Sequence, residues 1–311
     1  MDGPTIDRRA TPPGAAYSQW QAPDGWAYRV MDWPQPGGAP ARGSLIFAGG
    51  RGDFIEKYFE AHHHWHARGW NVTAFDWRSQ GGSRGDIVGG HLDSLDPLVD
   101  DLDALTAEWR ARTKGPHVAV GHSMGGHVLL RTLAERRPAV DAAILVAPML
   151  MINSAPLPRW GGPWLAAAMR ALGQGRLPVW RPSTPPAPAG SLRQAYLTSC
   201  PERYQDELWW WEREPGYSLG APSWGWMEAA YRSCAALTPE KLASVTPLLL
   251  LGTERDRLVS PQAILRAATA LPKAEIHMFS DAGHEILREA DPVRLAALDL
   301  VDAFLERHVP Q

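Results

Sequence analysis

Short apolar runs alternate along this chain with longer stretches in which apolar residues recur every three or four positions. Ser44 to Ala48, Val72 to Asp76, His117 to Gly121, Ala142 to Ala147, Pro247 to Leu251 and Ala274 to Phe279 are the short runs. Apolar side chains at successive positions mark strands that are covered on both faces. The stretches from about Phe54 to Arg68, Leu95 to Arg112, Met124 to Arg137, Pro261 to Leu271 and Pro292 to Arg307 carry helical spacing. Such a rhythm predicts an α/β fold, a mostly parallel central sheet with helices on both faces. Trp26 to Trp33 alternates like a further strand, Pro34 to Arg42 reads as a Pro/Gly turn, and residues 1–25 read as a loose leader.

The rhythm stops at residues 151–236. Prolines crowd there (Pro178, Pro182, Pro185, Pro186, Pro188), and helical stretches follow one another without strands. A core of residues 26–150 and 237–311, interrupted by a helical cap insertion, is the simplest division.

Chemistry enters where the strand ending at Val120 runs into Gly121-His122-Ser123-Met124-Gly125-Gly126 and a helix begins at once. This is G-x-S-x-G in its strand–turn–helix setting, a sharp turn that exposes the serine hydroxyl. A hydroxyl needs a base to take its proton, so a histidine and an acid are expected further on. Asp256 follows the resumed strand and His284 follows the last one. Ser123 then reads as nucleophile, His284 as base and Asp256 as the group orienting it. Glu254 and Asp281 compete for the acid role, and His122 reads as a packed neighbour of the elbow. Two backbone N–H donors are needed for the oxyanion. Met124 and Arg51, the latter in Gly49-Gly50-Arg51-Gly52, are the expected pair.

Composition narrows the function classes. The 311 residues carry a net charge of −3, which argues against a nucleic-acid partner. Two cysteines, Cys200 and Cys234, read as free thiols. A start without a basic segment and apolar run, and no apolar stretch long enough to span a bilayer, lead to the expectation of a cytoplasmic protein. No metal or cofactor is expected.

Further markers accompany the elbow: Gly50 to Tyr58, Phe75 to Ser83, Gly283 to Leu287, and in the insertion Leu197-Thr198-Ser199, Glu202-Arg203-Tyr204 and Ser223 to Met227. With these the chain resembles the α/β-hydrolases over residues 26–308. More narrowly it resembles their bacterial lysophospholipase and monoacylglycerol-lipase branch, also described as serine-aminopeptidase-like. Many relatives begin the first-strand loop His-Gly, whereas Gly49-Gly50 stands here. The resemblance implies a small-molecule lipid ester with one acyl chain as substrate, a lysophospholipid or a monoacylglycerol. Acyl transfer from the same acyl-enzyme, and a non-catalytic ligand-binding protein on this scaffold, are the alternatives.

The tryptophans bear on substrate. Fifteen outnumber the 13 Phe and Tyr combined, and eight lie in residues 151–236. Trp209-Trp210-Trp211 sweep about 200° of a helix, so one buried face cannot hold all three. Trp210, Trp211, Trp224 and Trp226 are expected to roof an acyl-chain pocket, and the lid to touch a membrane surface transiently. Among weaker signals, His62, His63, His64 and His66 read as surface histidines rather than a metal site, and Asp96, Asp100, Asp101 and Asp103 as a solvated helix face. Arg51 and Arg78 are expected to pair with Asp53, Glu56 or Asp76, holding a phosphate being the alternative.

Overall fold

A computed structural model describes residues 6–38, 40–85, 88–181, 186–242 and 246–309. Pro182 and Pro185 of the insertion lie outside the described residues. Eight strands form one sheet: β1 Ala16–Gln21, β2 Ala27–Trp33, β3 Gly43–Ala48, β4 Trp70–Phe75, β5 His117–His122, β6 Ala142–Val146, β7 Leu248–Thr253 and β8 Ala274–Phe279. Their spatial order is β1-β2-β4-β3-β5-β6-β7-β8. Only β1 with β2 and β2 with β4 pair antiparallel; every other neighbour is parallel. The carboxyl ends of β3 to β8 therefore share one edge, where ligands bind in such sheets.

Period-two alternation divides the strand side chains between two layers. Ile46, Ala48, Ala119, Leu145, Leu248 and Leu250 face one core, against α2 (Asp96–Arg112), α3 (Met124–Glu135) and α9 (Pro261–Ala270). Leu45, Phe47, Val118, Val120, Ile144 and Leu251 face the other, against α1 (Phe59–Ala67) and α10 (Asp291–His308). The expected first helix begins as a 3-10 turn, Ile55–Tyr58, before α1. Between β6 and β7 lie α4 (Gly161–Ala171), α5 (Leu192–Leu197), α6 (Pro201–Arg213), α7 (Trp224–Ala235) and the short α8 (Pro239–Leu242), with no strand among the described residues. None of the described helices is long and apolar enough to cross a membrane.

The leader departs from expectation. Residues 16–21 are β1, a hairpin partner of β2, not a loose segment. Along this edge strand only Trp20 is buried, so the sequence lacks a run of alternating apolar residues there. Upstream, Arg8 and Arg9 ion-pair with Asp206 at 2.5 and 2.7 Å, and Pro13 O accepts from Trp33 Nε1 at 3.1 Å.

Candidate active site

Ser123 stands between β5 and α3 with φ 52° and ψ −115°, a backbone state that L-residues rarely occupy. Neighbouring strands hold it there. Its N–H donates to Val146 O at 2.9 Å, and its carbonyl accepts from Met149 N at 2.9 Å and His127 N at 3.0 Å. The glycines permit the close packing this needs: a Cβ at position 121 would lie 2.7 Å from the Gly126 Cα, and one at position 125 would collide with Ala48 O.

His284 lies on the loop after β8 and Asp256 on the loop after β7. The Ser123 Oγ is 2.8 Å from His284 Nε2, and His284 Nδ1 is 2.7 Å from Asp256 Oδ2. Asp256 Oδ1 accepts from Leu258 N at 2.8 Å and Val259 N at 2.9 Å. Burial opposes charge on Asp256, but the His284 imidazole and these two N–H groups hold its carboxyl below the ordinary range. Burial likewise opposes an imidazolium at His284, yet the Asp256 carboxylate raises its pKa. An imidazole so placed can accept the serine proton as the oxygen attacks a carbonyl. The other two acids stand apart: Glu254 is exposed, and Asp281 pairs with Arg255 at 3.0 Å. Residues from the insertion brace the histidine loop, since His284 N donates to Tyr196 O at 3.0 Å and Glu285 N to Leu197 O at 2.8 Å.

The loop after β3 lies against the elbow. Gly50 N donates to Asp53 Oδ2 and Gly52 N to Gln80 Oε1, both at 2.6 Å. Among the described residues, the Arg51 N–H between them has no partner. Met124 N opens α3, where a helix leaves its first N–H groups unpaired. A Cβ at Gly50 would lie 3.0 Å from the Ser123 Cβ, so only glycine allows the loop this close.

Sequence reasoning missed Asp53 and Tyr58. Asp53 Oδ2 also takes Tyr58 OH at 3.1 Å and His122 Nδ1 at 2.8 Å, tying the loop to the residue preceding Ser123. His122 is thus engaged away from the serine. Beyond it runs a buried chain of charge: Lys57 reaches Asp53 at 2.8 Å, Glu285 at 2.6 Å and Glu207 at 3.3 Å, and Glu207 also takes Arg193 at 2.6 Å and Arg288 at 3.0 Å. Burial opposes the Glu207 charge, but its three cations pull the carboxyl down to about 2. Glu207→Gln should therefore cost about 3 kcal/mol at pH 7, because it removes the carboxylate that Lys57, Arg193 and Arg288 share and leaves Lys57 and Arg288 only their other acids. A folded pKa below the ordinary 4.5 gives stability present above pH 4.5 and lost as pH falls toward 2. The gap in urea midpoint between wild type and Glu207→Gln should close over that range; a gap independent of pH would contradict it.

Several expectations need correction. His62 is no surface residue: it is fully buried, its ring 5.2 Å from that of Phe47. His64 bonds Asp302 at 2.9 Å, and His66 stacks on Trp33 at 3.9 Å. Asp101 is buried, not solvated, and takes Tyr28 OH at 2.5 Å and Arg78 Nε at 2.6 Å. Arg78 pairs with Asp101 and Asp24, not with Asp53, Glu56 or Asp76. Arg29 claims Glu56 and Asp76 instead, at 2.8 and 2.7 Å, while Arg51 bonds the carbonyl oxygens of Gly220 and Gly89.

The four tryptophans divide. Trp226 is buried in the cluster that holds Met124 and Leu92, and Trp224 beside it is half-buried. Trp210 is instead set edge-on against Phe59 at 6.2 Å, its Nε1 donating to Arg8 O at 3.3 Å. Trp211 lies under Arg193 at 4.7 Å. α6 seats Arg203 on Glu60 at 2.6 Å and Glu207 on Lys57, which sets Trp210 against α1 while Trp211 packs on Arg193 of α5.

The sheet order, the elbow and the edge that gathers Ser123, Asp256 and His284 define an α/β-hydrolase. A family model, "Serine aminopeptidase, S33", matches residues 39–291, and the chain belongs to that family. It is 28% identical over 295 residues to a probable lysophospholipase L2 of Haemophilus influenzae, covering 90% of this chain and 88% of that one. With lysophospholipase L2 of Escherichia coli it shares 29% identity over 284 residues, 85% and 80% of the two chains. Among solved structures, a soluble variant of monoglyceride lipase from Saccharomyces cerevisiae superposes with a TM-score of 0.75 at 18% identity, covering 97% of this chain and 99% of that one.

Proposed function

We propose that the protein is a serine-dependent carboxylic-ester hydrolase that acts through an acyl-enzyme on single-chain lipid esters, lysophospholipids or monoacylglycerols. The unbroken contact chain from Ser123 Oγ through His284 to Asp256 carries this reading. Ser123 attacks the ester carbonyl while His284 takes its proton and returns it to the leaving alkoxide; Asp256 stabilises the imidazolium. The N–H groups of Arg51 and Met124 receive the oxyanion. Water, deprotonated by His284, then releases the fatty acid. A fluorophosphonate probe should label Ser123 stoichiometrically, with hydrolysis of long-chain monoacyl esters in the same preparation. Absent labelling would remove the mechanism.

Residues 151–236 serve in this reading as a cap that meets lipid. The α4 segment leaves Trp160 68%, Trp164 72% and Leu172 72% exposed. Trp rings favour the bilayer interface, and an apolar helix face binds there in proportion to its buried area. Replacing Trp160 and Trp164 together by Ser should weaken binding to phosphatidylglycerol–phosphatidylethanolamine vesicles about tenfold. Hydrolysis of a dissolved short-chain ester should change less than about twofold. Unchanged vesicle binding would refute this role.

A further inference from the structure

Among the described residues, Arg51 has no carboxylate partner. Its Nη1 donates to Gly220 O at 3.1 Å and its Nη2 to Gly89 O at 2.8 Å, while the guanidinium lies 5.0 Å from the Trp226 ring. Nε is shielded from solvent and unpaired among the described residues. Other enclosed arginines differ: Arg29, Arg78, Arg203 and Arg288 each hold two carboxylates. Burial lowers the Arg51 pKa to about 9. Two neutral carbonyls and an indole face compensate a half-buried cation only in part.

Position gives this cation a purpose. The same residue presents the unpaired backbone N–H beside Ser123, and its side chain lies between a core loop at Gly89 and the insertion at Gly220 and Trp226. In a glycerophosphate ester, phosphorus is as many covalent bonds from the ester carbonyl carbon as an arginine Cζ is from its own backbone nitrogen. A planar guanidinium with an unfilled Nε edge suits a phosphate, which exchanges neutral acceptors for charged ones. We propose that the Arg51 side chain is the headgroup-reading group of this site, binding the phosphate of a single-chain ester while its backbone N–H faces the ester oxygen. The inference rests on the proposed hydrolase reading and narrows it to phosphate-bearing over neutral esters.

The test compares kcat/KM for 1-decanoylglycerol 3-phosphate and 1-decanoylglycerol, both below their micellar range. Wild type should favour the phosphate ester, and the ratio should fall at least about tenfold in Arg51→Gln and be partly restored in Arg51→Lys. A ratio unchanged in Arg51→Gln, even with both rates lowered, overturns the proposal and leaves Arg51 a latch between cap and core. One measurement needs no variant: decyl phosphate should inhibit the wild type at least about tenfold more tightly than decanol. Equal inhibition overturns the proposal, and so does inorganic phosphate inhibiting as tightly as decyl phosphate, which would mark a free-phosphate site. Fluorophosphonate labelling separates the two readings. Labelling with a flat ratio sinks only the headgroup claim, whereas turnover surviving in Ser123→Ala sinks the mechanism beneath it.

Discussion

Ser123→Ala is expected to abolish fluorophosphonate labelling and to lower ester turnover by at least about 10⁴-fold while leaving the fold intact. The expected loss is large because the hydroxyl supplies the bond-forming atom, and neither His284 nor the N–H groups of Arg51 and Met124 can replace it. His122, the nearest other side chain of the elbow able to act as a nucleophile or base, is bound to Asp53 at 2.8 Å. The fold should tolerate the change. Backbone contacts to Val146, Met149 and His127 hold position 123 in its strained state, and among the described residues the Oγ contributes only its bond to His284. A thermal midpoint within a few degrees of wild type would show this. Turnover persisting in a correctly folded Ser123→Ala would end the acyl-enzyme reading.

What could be read from the sequence depended on how each element is buried. Strands β3, β5, β6 and β7 are enclosed on both faces, so burial writes an apolar run that is recognisable without a structure. The elbow was legible because its glycines answer a local steric demand at Ser123. The β1 strand was not, because an edge strand with one buried side chain leaves no period. His62 carried a signal that was overlooked: it lies three residues from both Phe59 and Trp65, on the helix face those residues bury. The face of α6 inverts the usual pattern. It buries Arg203, Asp206 and Glu207 against opposite charges brought by α1, the N-terminal segment and the region after β8. Apolar periodicity is silent about such a face, so the sequence does not place Trp210 and Trp211 on their packing partners. The Asp53–His122–Tyr58 contacts join the β3 loop to β5, a pairing that spacing along the chain does not encode.

The second large effect is expected from Asp256→Asn, and it follows from which oxygen does what. Oδ1 accepts two backbone N–H groups, from Leu258 and Val259, while Oδ2 faces His284 Nδ1. An asparagine must keep its one oxygen toward those two donors, so its NH2 turns to His284 Nδ1. That nitrogen then has to accept, the ring proton moves to Nε2, and Nε2 can no longer take the proton of Ser123. A fall in kcat of about 10⁴-fold is expected from this tautomer reversal. The pH profile supplies an independent readout. In wild type the Asp256 carboxylate raises the His284 pKa above its ordinary 6.5, so the acid limb of kcat/KM, where the base becomes protonated, should lie above pH 6.5. In Asp256→Asn that carboxylate is gone, burial is opposed only by the weaker pull of Glu285 and Asp53, and the limb of the residual activity should move to lower pH. Glu254→Gln and Asp281→Asn, both at exposed positions, should keep rates near wild type. An Asp256→Asn enzyme within about tenfold of wild type, or a severe loss in either control, would move the acid role away from Asp256.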